Sequence, residues 1–275
     1  MSAILSTLPE LDSDYTVTAK QTADYQRDGH MLLRGLASRE EVNAYLPLIA
    51  DSLEKHRKER RALAERGTYH KAFIQVANLW ELDENVKRFV MARRFAKAAA
   101  ELMGVSGVRI FHDQALFKEP GGGHTPWHQD QFYWPIDSDN TITMWMALDD
   151  TPVEKGPMVF ASGVHKKGPL ANIGISDVSA EVYTKLAKDN NWPLATYELN
   201  AGDATFHNGW TPHKAPGNSS SKMRPVMTVI YMADGVRVSE PMNDAQPLDM
   251  ARWFPGRKPG DLADTELNPL VYSRG

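Results

Sequence analysis

The sequence predicts an all-β core with flanking helices, a double-stranded β-helix or jelly roll of cupin-like form behind a helical N-terminal part. Three observations carry that prediction. Residues 1–107 show helical periodicity and helix caps, whereas from Val108 onward the chain turns to short apolar runs separated by Gly, Pro, Asn and Asp. Helices first and about eight strands afterwards fit two facing antiparallel sheets with helices packed on one of them. Within the β part, His128 and Asp130 stand two residues apart, which on extended backbone sends both side chains to one face.

At 275 residues the chain reads as a single domain, 1–275, since all-β sandwiches and barrels often run undivided to about 200–250 residues. Residues 1–107 are its mostly helical support, 108–233 the jelly-roll core and 234–275 a C-terminal tail. The composition, 42% hydrophobic and 24% charged, supplies a sizeable core and argues against disorder. The net charge of −4 is spread in mixed signs, which argues against nucleic acid as a partner. The run KHRKERR at Lys55–Arg61 is the exception. Lying among Glu54, Glu59 and Glu65, it reads as a solvated helix face. With no cysteine, neither disulfides nor thiolate metal sites are open to this chain. The stretch MSAILSTLPELDSD lacks a basic region ahead of a long apolar core, and no apolar run approaches the about 18 residues of a membrane span. The expectation is a soluble, cytoplasmic protein without a membrane partner. Nothing in the sequence bears on oligomeric state.

In chain order, Thr18–Arg27 has helical spacing and is followed by Asp28, Gly29 and MLLRGL, a helix, turn and strand. Ser38 with Glu41 forms a capping-box signature for a long helix reaching about Glu65. Tyr69–Trp80 is rich in strand formers, and the segment from Glu84 is a helix ended by Gly104. The strands then follow as VRIFHDQALFK, TITMWMALDD, MVFASG, ATYEL, ATFHNG and PVMTVIYM, interrupted by a helix at Ser179–Asn190. The tail from Asp234, proline-bearing and without a clear period, reads as surface loop.

His128 and Asp130 need a third partner to hold a metal, and GDATFHNGWTPHKAPGNSSSKMRP offers His213, with Arg224 eleven residues beyond it. Two imidazoles and one carboxylate form the facial triad of non-heme iron(II), which leaves positions open for a cosubstrate and O2. The triad is read as both the catalytic and the metal set. By itself a His-x-Asp pair is more often a hydrogen-bonded pair than a ligand pair, and His207 competes for the third place. GGG at Gly121–Gly123 lacks phosphate-loop spacing and reads as a flexible loop, a candidate lid, ahead of the ligand strand. Lys118 has two readings, an attractor for an anion and a solvated strand-end lysine. His112, His124 and His165 read as structural. The aromatics Phe132, Tyr133, Trp134, Trp145, Phe206 and Trp210 read mostly as core, with one or two lining a pocket.

FHDQALFKEP, WHQDQFYW, WMALDD, KGPMVFASGVHKKG and HKAPGNSSSKMR together resemble the phytanoyl-CoA dioxygenase family of iron(II)/2-oxoglutarate oxygenases, from about Tyr25 to Tyr231. The resemblance implies His128, Asp130 and His213 as iron ligands, His213 over His207 by its spacing to Asn218 and Arg224. It implies Arg224 as the 2-oxoglutarate arginine and Gln75, Gln114 and Trp145 as further cosubstrate contacts. A guanidinium suits that role because it grips a carboxylate with two parallel hydrogen bonds. One departure is Gly163-Val164-His165, where many members have Ser-His. The implied activity is oxidation of a small organic molecule such as a secondary metabolite, in the simplest case its hydroxylation, with 2-oxoglutarate decarboxylated to succinate. Desaturation, epimerisation and cyclisation start from the same hydrogen abstraction. The retained Asp130 disfavours halogenation. The rival classes are a non-catalytic metal-containing jelly-roll binding protein, for which Arg224 would have no use, and a zinc hydrolase.

Overall fold

Two antiparallel sheets face each other across a cavity, and most of their neighbouring strands are distant in sequence. The computed structural model describes residues 8–274. Met1–Thr7, part of the N-terminal stretch read above for a leader, and Gly275 lie outside the described residues.

The N-terminal part builds its helices from local signals. Helix α1 (Ala19–Asp28) starts on a Thr18–Gln21 capping box and stops at Gly29, whose φ of 78° lies in the left-handed region. A side chain at Gly29 would also collide with His165, whose Nδ1 lies 2.3 Å from the Cβ position. Strand β1 (His30–Leu33) follows. Helix α2 (Arg39–His56) starts on the Ser38–Glu41 box but ends well short of Glu65, because Arg57 turns to extended backbone. Beyond that turn Arg57 and Arg60 fold back onto Glu54 at 2.8 and 2.6 Å, so most of the basic run lies outside the helix. Tyr69–Trp80 divides into the end of α3 (Thr68–Ala72), strand β2 (Ile74–Ala77) and a 3-10 turn. The helix expected from Glu84 is two helices, α4 (Glu84–Val90) and α5 (Arg93–Met103), the second stopped at Gly104 with φ 74°. The break has a tertiary cause. The first N–H groups of α5 donate to Asp12 Oδ1 and Leu11 O, acceptors outside the helix that local periodicity does not encode.

The larger sheet has strand order β1-β8-β5-β10-β3-β11, with β2 also on β3. Its remaining strands are β3 (Gly107–Phe117), β5 (Thr141–Ala147), β8 (Ala204–Asn208), β10 (Val226–Ala233) and β11 (Leu270–Ser273). The smaller sheet runs β4 (Thr125–His128), β9 (His213–Ala215), β6 (Val159–Ala161) and β7 (Leu194–Thr196), and helix α6 (Asp177–Asp189) enters before β7. Three strands of the larger sheet therefore come from outside 108–233. The tail is not plain loop, since it forms helix α7 (Gln246–Trp253) and then β11, which covers the edge of β3.

The larger sheet sorts its residues by period two. Ile142, Met144 and Met146 of β5 and Ala204 and Phe206 of β8 join the core shared with the helices. Thr143 and Trp145, between them in sequence, and His207, next after Phe206, line the cavity. The small residues of Ala98–Ala100 let α5 lie close against this sheet, and every residue of β10 is buried, which is why it reads as a continuous apolar run. Among the described residues no helix is long and apolar enough to cross a membrane.

The turn into β8 depends on Gly202, whose φ is 90° and whose Cβ position lies 2.0 Å from the backbone oxygen of Ala37. Because neither partner is a flexible side chain, Gly202→Ala should destabilise the fold by about 2–4 kcal/mol. Thermal melting should show a drop of roughly 5–15 °C, and an unchanged melting temperature would refute the close approach.

Candidate metal centre

The register between β4 and β9 places His128 directly opposite His213. Strand β4 ends at His128, two residues short of Asp130, which opens a 3-10 turn (Asp130–Tyr133). The alternation nevertheless survives, because Gln129 keeps extended dihedrals of −118° and 126° and returns Asp130 to the side of His128. Gln129 itself points the other way. Its amide nitrogen donates to Gly168 O and Trp210 O, and its carbonyl oxygen accepts from Leu170 N–H and Tyr183 O–H. Four bonds satisfy the side chain and pin the ligand segment from behind.

Nitrogen and oxygen atoms of His128, Asp130 and His213 lie within 4.8 Å of one another. Asp130 Oδ1 is 3.4 Å from His128 Nε2 and 3.8 Å from His213 Nε2. Each imidazole spends Nδ1 on a backbone carbonyl, His128 on Pro126 O at 2.8 Å and His213 on Thr211 O at 3.0 Å. A carbonyl only accepts, so Nδ1 carries the proton and Nε2 turns its lone pair to the shared point. Burial and the neighbouring His128 hold the His213 imidazole well below the usual histidine range, so it is neutral at pH 7. For Asp130, burial opposes ionisation, yet His213, His128 and His207 outweigh it and keep the carboxyl well below its ordinary value.

The second carboxylate oxygen has its own partners. Thr143 Oγ1 and His207 Nε2 both donate to Asp130 Oδ2 at 3.1 Å, and Thr143 and His207 are themselves register partners in β5 and β8. With Nε2 protonated toward Asp130, His207 orients the carboxylate and stands outside the donor set. Two imidazoles that turn Nε2 to a shared point and one ionised carboxylate, each oriented by a hydrogen bond behind it, fit iron(II).

The same cavity, about 630 Å³, reaches Arg224. This guanidinium is 2% exposed, sits over the Trp145 ring at 5.0 Å and donates from Nη1 to Gly156 O at 2.6 Å. Its Nε has no partner, no ion pair to a carboxylate forms among the described residues, and burial lowers its pKa to about 9. A buried cation with an unused donor on a cavity fits a bound carboxylate. Gln75, Gln114 and Trp145 line this cavity too, with Gln75 Oε1 accepting from Tyr69 O–H at 2.9 Å.

Residues 25–226 match the phytanoyl-CoA dioxygenase (PhyH) family. The chain belongs to that family. It is 28% identical over 166 residues to the 2-aminoethylphosphonate dioxygenase of uncultured bacterium HF130_AEPn_1, a match spanning 60% of each chain. The match thus covers about three fifths of that relative's length. Among solved structures, the alpha ketoglutarate dependent carbocyclase SnoK from nogalamycin biosynthesis is 26% identical with a TM-score of 0.77, over 94% of this chain and 99% of that one. The epimerase SnoN, solved with Fe3+, alpha ketoglutarate and nogalamycin RO, is 27% identical with a TM-score of 0.74, over 92% and 97%.

In this PhyH protein the remaining sequence candidates take varied places. Lys118 is fully buried, not solvated. The Gly121–Gly123 loop is tied down, with Gly121 N–H on Asn218 O and Gly123 N–H on Lys71 O, which argues against a free lid. His112 lines the cavity, stacked on Trp253 at 4.4 Å with Nδ1 unpartnered, whereas His165 packs against the end of α1 and His124 is exposed. Of the aromatics, Tyr133, Trp134 and Trp145 line the cavity, while Phe206 belongs to the core beneath the helices. Sequence reasoning missed Thr143, whose only signal is its place two residues before Trp145 on the inward face of β5. It also missed the α7 wall of Asp249, Arg252 and Trp253.

The two histidines separate by experiment. His213→Ala should cut bound iron(II) to below about one tenth of the parent level, whereas His207→Ala should keep most of it, metal analysis after desalting being the measure. Equal loss in both would place His207 among the ligands.

Proposed function

We propose that this PhyH-family protein is an iron(II)/2-oxoglutarate-dependent dioxygenase that oxidises a small organic molecule, most simply by hydroxylation. The observation that carries the reading is one cavity holding both a His-Asp-His donor set and a buried arginine with an unused donor. His128, Asp130 and His213 would hold iron(II), and Arg224 would receive the far carboxylate of 2-oxoglutarate, with Trp145 beneath it and Gln75 and Gln114 on the same wall. Bound there, iron(II) supplies the redox chemistry that couples O2 and the decarboxylation of 2-oxoglutarate to succinate with attack on a substrate C–H bond.

The chain's own part is positioning and exclusion. The carbonyls of Pro126 and Thr211 fix the imidazole tautomers, and Thr143 and His207 hold the carboxylate turned. Trp145, Met158, Tyr133, Trp134 and Trp253 line the cavity, and their apolar faces would limit water at the reacting centre. Epimerisation or ring closure is favoured as a second outcome by the carbocyclase and epimerase neighbours. The retained Asp130, in the place a halide would need, disfavours halogenation.

Anaerobic protein given iron(II) and 2-oxoglutarate should develop a weak visible charge-transfer band, absent in Asp130→Ala, and should release succinate when O2 is admitted. No band in the parent sinks the oxygenase reading, and hydrolytic turnover without O2 would point to a zinc hydrolase instead. Arg224→Ala should raise half-saturating 2-oxoglutarate about a hundredfold or more with iron content little changed. Parallel loss of both would make Arg224 a structural residue.

A further inference from the structure

Paired with Arg224 is a second buried basic group for which the reading above has no use. Lys118, the residue after β3, is fully buried, and its backbone exchanges both ladder hydrogen bonds with Arg224, N–H to O at 3.0 and 2.9 Å. Residues paired in this way send their side chains to one face about 5 Å apart, and like charges so placed repel. Neither has an acid to offset it among the described residues. Glu119, next in the chain, turns to Arg66, and Arg224 is the one charged group that acts on Lys118.

Lys118 also ties together the loops that flank the metal ligands. Its Nζ donates to Gly123 O at 2.6 Å, ahead of β4, and to Pro216 O at 2.9 Å, after β9. Arg224 holds Gly156 O, and Gly156 in turn lies so close to Pro216 that a Cβ there would sit 2.4 Å from Pro216 O. The two basic side chains thus hang on one knot of close-packed backbone. Two accepting carbonyls match the two N–H groups of a neutral amine, whereas an ammonium brings three. Burial, with Arg224 beside it, pushes the Lys118 amine down to about 6.

We propose, resting on the 2-oxoglutarate reading, that Lys118 is a positioning residue which ties the loops around Arg224 as a neutral amine and gains a proton from solvent when the dianion binds. The lone pair of –NH2 takes one proton from water or buffer to give –NH3+, and no other covalent bond changes. The arriving carboxylates offset the repulsion that the empty pair of cations would suffer. Linkage then sets the sign: a site that takes up a proton on binding holds its ligand less tightly as pH rises above the free amine's value of about 6.

Anaerobic iron(II)-loaded protein is titrated with 2-oxoglutarate by calorimetry, in phosphate and in Tris, whose ionisation enthalpies differ. The parent should take up more than about half a proton per cosubstrate bound near neutral pH. Lys118→Arg, which keeps donors and a permanent charge, should bind without uptake. Lys118→Met should lose the uptake and bind about tenfold more weakly, its melting curve showing whether it folds; if it does not, the arginine variant decides alone. Uptake equal in parent and Lys118→Arg, or none in the parent, overturns the proposal and leaves the cosubstrate reading standing. Absence of 2-oxoglutarate binding to the parent overturns both.

Discussion

Asp130 divides its carboxylate between two tasks, and the rest of the site is arranged around that division. Oδ1 faces the imidazoles of His128 and His213 from the smaller sheet, while Oδ2 is held by Thr143 and His207 from the larger one. One side chain thereby fixes the spacing of the two sheets at the point where chemistry occurs. A carboxylate free to rotate would present either oxygen. With Oδ2 doubly engaged only Oδ1 is left for a metal, which is how partners behind a ligand orient it.

The cavity has opposite electrostatics at its two ends. The Asp130 end offers one buried negative charge to a cation, and the Arg224 end offers buried positive charge to an anion. Leaving charge uncompensated in an interior costs several kcal/mol per ion, so the empty site weighs against stability. The offset comes from the other face of the same strands, where Met144, Phe206, Val229 and their neighbours pack on α4 and α5. Strand period two lets one sheet do both, apolar residues turned to the helices and polar ones turned inward. Cosubstrate or metal binding then adds stability by mass action.

What the sequence reveals follows from how local each signal is. The Ser38–Glu41 cap, the stop at Gly104 and the His128–Asp130 spacing depend on residues within a few positions, and they are legible. The break between α4 and α5 is not, because its acceptors at Leu11 and Asp12 lie far back in the chain. The same holds for β11, whose four residues show no period until the edge of β3 lies beside them. At the site, the family-like spacing to Asn218 and Arg224 prefers His213 over His207 but gives no physical role to His207. The register of β8 on β5 distinguishes them, since it sets His207 beside Thr143 and aims both at Oδ2. Thr143 is silent for the same reason: a threonine in an apolar run reads as a strand former and nothing more. Lys118 misleads in the opposite direction, because a lysine at a strand end is ordinarily solvated and only the tertiary knot of Gly123, Pro216 and Gly156 buries it.

The donors and the arginine come from the β4–β9 pair, the turn that follows β4 and the Lys118–Arg224 bridge ahead of β10, where register and hydrogen bonds leave little freedom. Loaded with iron(II), such a centre would act on whichever carbon is held near it, and so it would not choose the outcome. That choice falls to the opposite wall, made from the turn at Asp130–Tyr133, from Ile175 ahead of α6 and from α7. Here the chain places His112 with an unpartnered Nδ1 and the half-buried Asp249, whose carboxyl burial pushes up to about 6 against the pull of Arg252. A substrate entering this wall meets aromatic faces with a few unsatisfied polar atoms between them. Apolar contact would seat the molecule, and the polar atoms would set which of its carbons turns toward Asp130. Family membership thus speaks to the metal end of the cavity, and the C-terminal helix is where the individual chemistry of this chain has to be sought.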